Sequence, residues 1–308
     1  MRPPGAEQVA LGARGRAIAG VGALWRFTRP HTIIGTTVSV LGLYAVAAQT
    51  GHATSAVDLA ATMVAAWCVN VAIVGLNQIE DIEIDRVNKP ELPLAAGEMT
   101  VRAAWALVGS CALAPVAMAI TQGPIELAAV TAALLVGAAY SSPPLRLKRF
   151  PALALLSISL VRALAVNLGV FGHFSGSLAE VPAVVWALTL FVLPFSAAIA
   201  LLKDIPDVEG DRVYRIRTFS VRLGRRPVFR AAMAALGAAY AGMLVAGPRL
   251  PDVDAASFIA GHLLAAAALG VLASRAELAD PAAFTRFYMR VWTLFFFEYA
   301  IVAASVLV

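Results

Sequence analysis

The chain has 308 residues, of which 60% are hydrophobic and only 14% charged, with a mean hydropathy of +0.79. Such a composition excludes a water-soluble globular domain and points to an integral membrane protein. The formal charge of +5 is the kind of excess that membrane topology produces, so no nucleic-acid partner is expected.

Residues 1–24 form a polar tail with Arg2, Arg14 and Arg16. It lacks an apolar core followed by a cleavage site and is not read as a secretory signal. The remainder, 25–308, reads as one domain, because no linker is long or polar enough to divide it. A spanning helix needs roughly 20 mostly apolar residues. Stretches near 32–49, 58–78, 102–121, 125–141, 152–172, 182–202, 228–247, 255–273 and 286–308 meet or approach that. They are too long and continuous for barrel strands, so the expected fold is an all-α integral membrane bundle of nine transmembrane helices. Cys68 and Cys111 fall inside spans and read as packing residues rather than a disulfide or metal pair.

Orientation follows from the basic residues. With nine spans, the N-terminus and the loops after the even-numbered helices share one side, and that side holds 22 of the 24 lysines and arginines. The exceptions are Arg162, within the fifth span, and Arg249. By the positive-inside rule this face is cytoplasmic, and its charge suits anionic membrane lipid. The Ala-, Arg- and Gly-rich composition suggests a bacterium, hence its plasma membrane. The loops at about 79–101 and 203–227 mix charge with apolar residues, so a cytoplasmic polar cap of short helices is expected there.

Ten of the 19 acidic residues fall in two windows on this face, 77–98 and 204–211. Asn77, Asp81 and Asp85 are spaced i, i+4, i+8, which lines one face of a helix. Asp204, Asp207 and Asp211, at i, i+3, i+7, would do the same at the end of the sixth span, although Pro206 and Gly210 signal distortion. Two facing carboxylate ladders can hold hard cations through oxygen. Mg²⁺ takes one or two protein carboxylates and completes its octahedron with water and phosphate oxygens, so a pyrophosphate group carried by Mg²⁺ fits the pattern. The plainer alternative is a pair of solvated juxtamembrane charge runs, which two matched clusters on one face argue against.

Here the sequence resembles the UbiA-type intramembrane prenyltransferase superfamily, from about residue 25 to the C-terminus. Within it, the strings RPHT (29–32), NQIEDIEIDRVNKPELPLAAGE (77–98), YSSPPLRLKR (140–149) and KDIPDVEGDRVYRIRTFSVRLG (203–224) resemble the homogentisate prenyltransferase branch. Gln78, where the superfamily often has Asp, agrees with that branch; the role of Glu80 is left open. The resemblance implies helices around a central cavity. It also implies Mg²⁺-dependent transfer of a prenyl group from a prenyl diphosphate to a small aromatic acceptor, homogentisate with loss of CO₂, in tocopherol- or plastoquinone-type biosynthesis. No protein partner is implied. Asp81, Asp85, Asp207 and Asp211 would then be catalytic, and with Asn77 and Asp204 would form the metal set. Arg29, Tyr140, Arg146, Lys148, Lys203 and Arg212 would bind diphosphate. Asp85 and Asp207 are both open as acceptors of the phenol proton. Arg215, Arg217, Arg222, Arg225 and Arg226 read as topology and headgroup charges.

Four polar residues lie deeper. Arg162 and Asn167 share the fifth span, and an arginine there calls for an anionic partner, either the acceptor carboxylate or Glu298. Asn70, two turns from Asn77, could reach the acceptor or bond to a neighbouring helix. His31 reads as a helix-start residue, and His52, His173 and His262 fall towards the opposite side. Rival readings are a menaquinone-, ubiquinone- or chlorophyll-type acceptor, an isoprenoid cyclase, and an ion-coupled transporter. The transporter is disfavoured because its acids would sit at the midplane.

Overall fold

In lipid every backbone N–H and C=O must find an internal partner, and long apolar runs meet that demand as helices. The computed structural model describes residues 20–52, 55–214, 216–251 and 253–306, and no strand occurs among them. The tail up to residue 19 and Arg215 lie outside the described residues. Nine helices among those described are long and apolar enough to cross a membrane. They are α1 (Pro30–Gln49), α2 (Ala56–Glu80), α4 (Val101–Gln122), α5 (Pro124–Ser141), α6 (Pro151–Ser175), α7 (Ala183–Lys203), α10 (Arg225–Ala246), α11 (Ala255–Ser274) and α12 (Pro281–Val306). Three short helices form the expected cap: α3 (Ile82–Asn88), α8 (Val208–Val213) and α9 (Phe219–Leu223). Each expected span overlaps one observed helix. The largest shift is in the last, which starts at Pro281 rather than 286.

Local chemistry explains the ends. Ser55 caps α2 by accepting from the amides of Val57 and Asp58, and Thr100 caps α4 by accepting from Ala103. Only Gly123 separates α4 from α5, and its φ of 115° lies in a region that favours glycine. Pro124 then occupies the first turn of α5, where its missing N–H is harmless.

The nine spans do not share the cavity equally. Helices α1, α2, α5, α6, α7 and α12 supply its lining, whereas α4 packs outside α2 and α5, and α10 and α11 pack outside α7 and α12. The expectation of nine helices around a cavity thus becomes six around it and three behind. The outer helices thicken the wall: Val228, Leu236, Tyr240 and Phe258 join Phe191, Phe195 and Phe295 in one buried cluster. Helix α6 changes pitch midway, and Val161–Leu168 is a π-helix. Such widened turns are frequent at functional sites, and this one carries Arg162 and Asn167.

Candidate active site

The cavity has two connected parts, a polar mouth of about 990 Å³ under the cap and an inner chamber of about 300 Å³ between the helices. Arg29, His31, Asn77, Tyr140, Lys203 and Tyr288 line both.

The two acidic clusters meet across the mouth. The first does not form one unbroken helix, because α2 stops at Glu80 and Asp81 turns with φ −115° and ψ 14° before α3 begins. The register survives, since the Asp85 amide donates to the Asp81 carbonyl at 2.8 Å and the Asn77 side-chain amide donates to Asp81 Oδ2 at 3.2 Å. Asp81 also accepts from Lys148 Nζ at 2.6 Å and Arg146 Nη2 at 3.1 Å, both from the loop after α5. Glu80 holds that loop by accepting from Ser142 Oγ at 3.1 Å.

The second cluster is tied to the first through the cap. Lys89 pairs with Asp207. Asn88 Nδ2 donates to Asp211 Oδ1 at 3.2 Å, and Thr218 Oγ1 donates to Asp211 Oδ2 at 3.3 Å. This approach needs Gly210, where a Cβ would lie 1.7 Å from Asn88 Oδ1. Lys203 Nζ donates to the Tyr140 hydroxyl at 2.8 Å and lies 3.9 Å from Asp204.

Burial under a low-dielectric cap, with crowding of like charge as a smaller contribution, raises Asp85 and Asp211 above the ordinary carboxylate range. Burial pushes Asp85 up to about 6; Lys89 and Arg29 oppose the rise, and Asp81 and Asp207 reinforce it. Burial, then Asp204 and Asp207, push Asp211 up to about 7. Asp204 is raised by burial despite Lys203. Lys148 is lowered by burial, with Asp81 offsetting part of the effect.

Among the described residues, no three acidic, histidine or cysteine side chains already converge on a point that could hold a metal. The donor set nevertheless suits Mg²⁺. It consists of oxygen ligands with excess negative charge, and it includes a buried Asp85 Oδ2 with no partner. A cation that brings its own water and phosphate ligands needs only one or two carboxylates from each side.

The inner chamber is apolar apart from a few groups. Arg162 is buried against aromatic rings, with its guanidinium 4.4 Å from the Trp292 centroid and 5.8 Å from that of Phe295, and its Nη1 has no partner. It does not pair with Glu298. That carboxylate faces away from the chamber and sits 3.1 Å from His262 Nε2, so His262 is a buried partner rather than a bystander. Asn167 is also turned from the chamber and accepts from the Tyr299 hydroxyl at 2.7 Å. Asn70 lines the chamber and makes the expected bond to a neighbouring helix, donating to Thr32 Oγ1 at 3.0 Å.

The structure corrects three other expectations. Arg212 does not reach the mouth; it is more than half exposed and lies 3.8 Å from Glu209 one helical turn away. Arg217, expected to be a headgroup charge, lines the mouth. His31, expected only to start a helix, lines both parts and lies edge-on to Trp292 at 5.0 Å between ring centroids. Lys89 was missed altogether. Its sequence signal was its place four residues after Asp85, on the same helical face.

Two acid clusters over an apolar chamber, inside a helical wall, define a membrane enzyme built to hold an anionic headgroup that carries a lipid tail. The sequence matches the UbiA prenyltransferase family model over residues 35–294, and the chain belongs to that family and is a prenyltransferase. It is 41% identical to a homogentisate phytyltransferase of Synechocystis over 92% of this chain and 94% of that one. A homogentisate geranylgeranyltransferase of Triticum aestivum is 38% identical over 91% and 71%. In fold it resembles a UbiA homolog from Archaeoglobus fulgidus bound to GPP and Mg2+, with a TM-score of 0.67 at 20% identity over 93% of this chain and 100% of that one.

Proposed function

We propose that this chain transfers a prenyl group from a prenyl diphosphate to homogentisate, with loss of CO₂ and release of pyrophosphate, from the cytoplasmic face of a bacterial plasma membrane. The relatives named above support the reaction, and the basic face shared with the mouth supports the orientation. The observation that carries the acceptor is Arg162, a buried guanidinium on the lining of the inner chamber with an unpartnered Nη1, where an aromatic acid would set its carboxylate. Trp292, stacked on that guanidinium, offers a ring wall for the acceptor.

In this reading Asn77, Asp81, Asp85, Asp204, Asp207 and Asp211 hold Mg²⁺, which when bound neutralises charge on the diphosphate oxygens and makes pyrophosphate a better leaving group. Arg29, Arg146, Lys148 and Lys203 supply the cations that receive the developing negative charge, together with Lys89 and Arg217. Lys148, Arg146 and Lys89 rest on Asp81 and Asp207, from where a short side-chain movement transfers them to phosphate. Tyr140 fixes Lys203 at the boundary between headgroup and tail.

The allylic C–O bond breaks and pyrophosphate takes its electron pair. The prenyl carbon then accepts electrons from a ring carbon of the phenol. That carbon loses its proton, while the carboxylate leaves as CO₂ and the benzylic carbon takes up a proton, so the protons balance. The chamber walls keep water from the allylic cation in the interval.

The test is turnover of purified protein in detergent with homogentisate, Mg²⁺ and geranylgeranyl diphosphate, read by mass spectrometry with an EDTA control. The expected product is a metal-dependent prenylated methylquinol. Release of pyrophosphate without that product would retain the donor half and reject homogentisate.

A further inference from the structure

The inner end of the chamber carries polar groups that the transfer chemistry does not use. Glu126, on α5, is only 3% exposed and lines the chamber with no hydrogen-bond or ion-pair partner among the described residues. Thr62, on the facing α2, is wholly buried, lines the same end, and has an Oγ1 without a partner. Past them the bundle is filled: Phe171 lies edge-on to His52 and Phe174 edge-on to Tyr44, at 5.9 Å and 5.1 Å between ring centroids. A buried carboxyl and hydroxyl without partners are costly, although the first turn of α5 favours an acid at Glu126.

Their depth has a chemical meaning. Helix α5 presents one face to the cavity along its whole length, through Glu126, Ala129, Ala133, Gly137 and Tyr140. Tyr140, bonded to Lys203, marks the headgroup end. Fourteen residues at ~1.5 Å each separate Tyr140 from Glu126 by ~21 Å. Helix α2 repeats the measure, with fifteen residues, ~22 Å, from Asn77 to Thr62. One isoprene unit contributes four carbon–carbon bonds of ~1.5 Å in zigzag, roughly 5 Å of extended tail.

We propose that Thr62 and Glu126 form the floor of a molecular ruler that admits a donor tail of up to four isoprene units, twenty carbons, and rejects a fifth. This rests on the transfer reaction proposed above. The walls, built from Ala66, Ala129, Ala133 and neighbouring aliphatic groups, match an apolar tail and give it little to discriminate by. The floor discriminates, because a longer tail must press methyl groups onto an unpaired carboxyl or displace the aromatic plug. Specificity of this kind comes from penalising the wrong ligand rather than from binding the right one more tightly.

The test compares kcat/KM for prenyl diphosphates of ten, fifteen, twenty and twenty-five carbons, with homogentisate and Mg²⁺, in the wild type and two variants. The wild type should hold or rise to twenty carbons and fall at least ~10-fold at twenty-five. Ala133→Phe places a ring ~10.5 Å from Tyr140, two units deep. It should raise the ten- to twenty-carbon selectivity at least ~10-fold. Glu126→Ala should raise the twenty-five- to twenty-carbon selectivity by a similar factor. If Ala133→Phe does not survive purification, Ala66→Phe, ~16 Å from Asn77, should move the limit to fifteen carbons.

A wild-type series with no break after twenty carbons would overturn the ruler and leave the transferase reading intact, as would variants that slow all donors equally. Absence of turnover with every donor would instead contradict the transferase reading itself.

Discussion

The mouth and the inner chamber of one cavity handle charge in opposite ways. In the mouth, Asp81 is paired with Arg146 and Lys148 and Asp207 with Lys89, while Asp211 is held by hydrogen bonds from Asn88 and Thr218. In the chamber, Arg162 and Glu126 lie on the lining without an ion-pair partner among the described residues. A compensated pair can be rearranged when a polyanion and its metal arrive, because Asp81 and Asp207 each have a cation to release. An isolated buried charge cannot rearrange and is tolerated only where a ligand meets or avoids it. The mouth is therefore suited to chemistry at the diphosphate, and the chamber to choosing what is joined.

If that division is right, mouth variants damage turnover most. Asp81→Asn and Asp207→Asn, which keep shape and hydrogen bonding, should each lower kcat by about 10²–10³ while shifting the melting temperature in detergent little. Near-full activity in both would break the division at its strongest point. Lys89→Met removes the partner of Asp207 and one phosphate cation. It should raise KM for the donor about 10-fold and leave KM for homogentisate unchanged, a split that steady-state kinetics resolves.

A smaller effect comes from pH. Asp85 and Asp211, raised to about 6 and about 7, bind protons that Mg²⁺ must displace. Apparent Mg²⁺ affinity should thus fall as pH drops from 8 to 6, by up to ~10-fold per unit for each proton displaced. The sign for stability follows from the same shifts. Both folded values lie above the ordinary aspartate value of 3.8, so the metal-free fold gains most from these groups below that value and loses the gain as pH rises through 6–7. Mg²⁺ should raise the melting temperature more at pH 8 than at pH 6. The smallest effect belongs to Arg212→Ala, under about 2-fold on either substrate, because this side chain points to solvent beside Glu209.

Much of the fold was legible because lipid leaves the backbone few choices, so that apolar length identifies the spans. The acids of the site were legible for a related reason, since ten acids in two windows stand out against an apolar chain. What could not be read was the direction of side chains in the cap. Arg212 follows Asp211 directly, but neighbours on a helix point about 100° apart, and α8 turns Asp211 inward and Arg212 outward. Lys89 and Arg217 looked like the other topology charges because only the folding of α3 and α8 against each other brings that loop over the mouth. The pairing of Arg162 with Glu298 failed for the same reason. Trp292, Phe295 and Tyr299 occupy the cavity face of α12, which leaves Glu298 to face α11 and His262. Glu126 had a signal, a lone acid within an apolar span, but its depth relative to Tyr140 has meaning only once the cavity is known.

The most direct measurement compares homogentisate with 2-methylhydroquinone, the same ring without the carboxylate, as acceptors for wild type and Arg162→Met. Both acceptors lead to the same prenylated quinol, so one product assay reads both. If Arg162 meets the acceptor carboxylate, the wild type should prefer homogentisate by about 10²-fold in kcat/KM and the variant by no more than a few-fold, with KM for the donor unmoved. A preference that persists undiminished in the variant would contradict the assignment of the chamber to the acceptor.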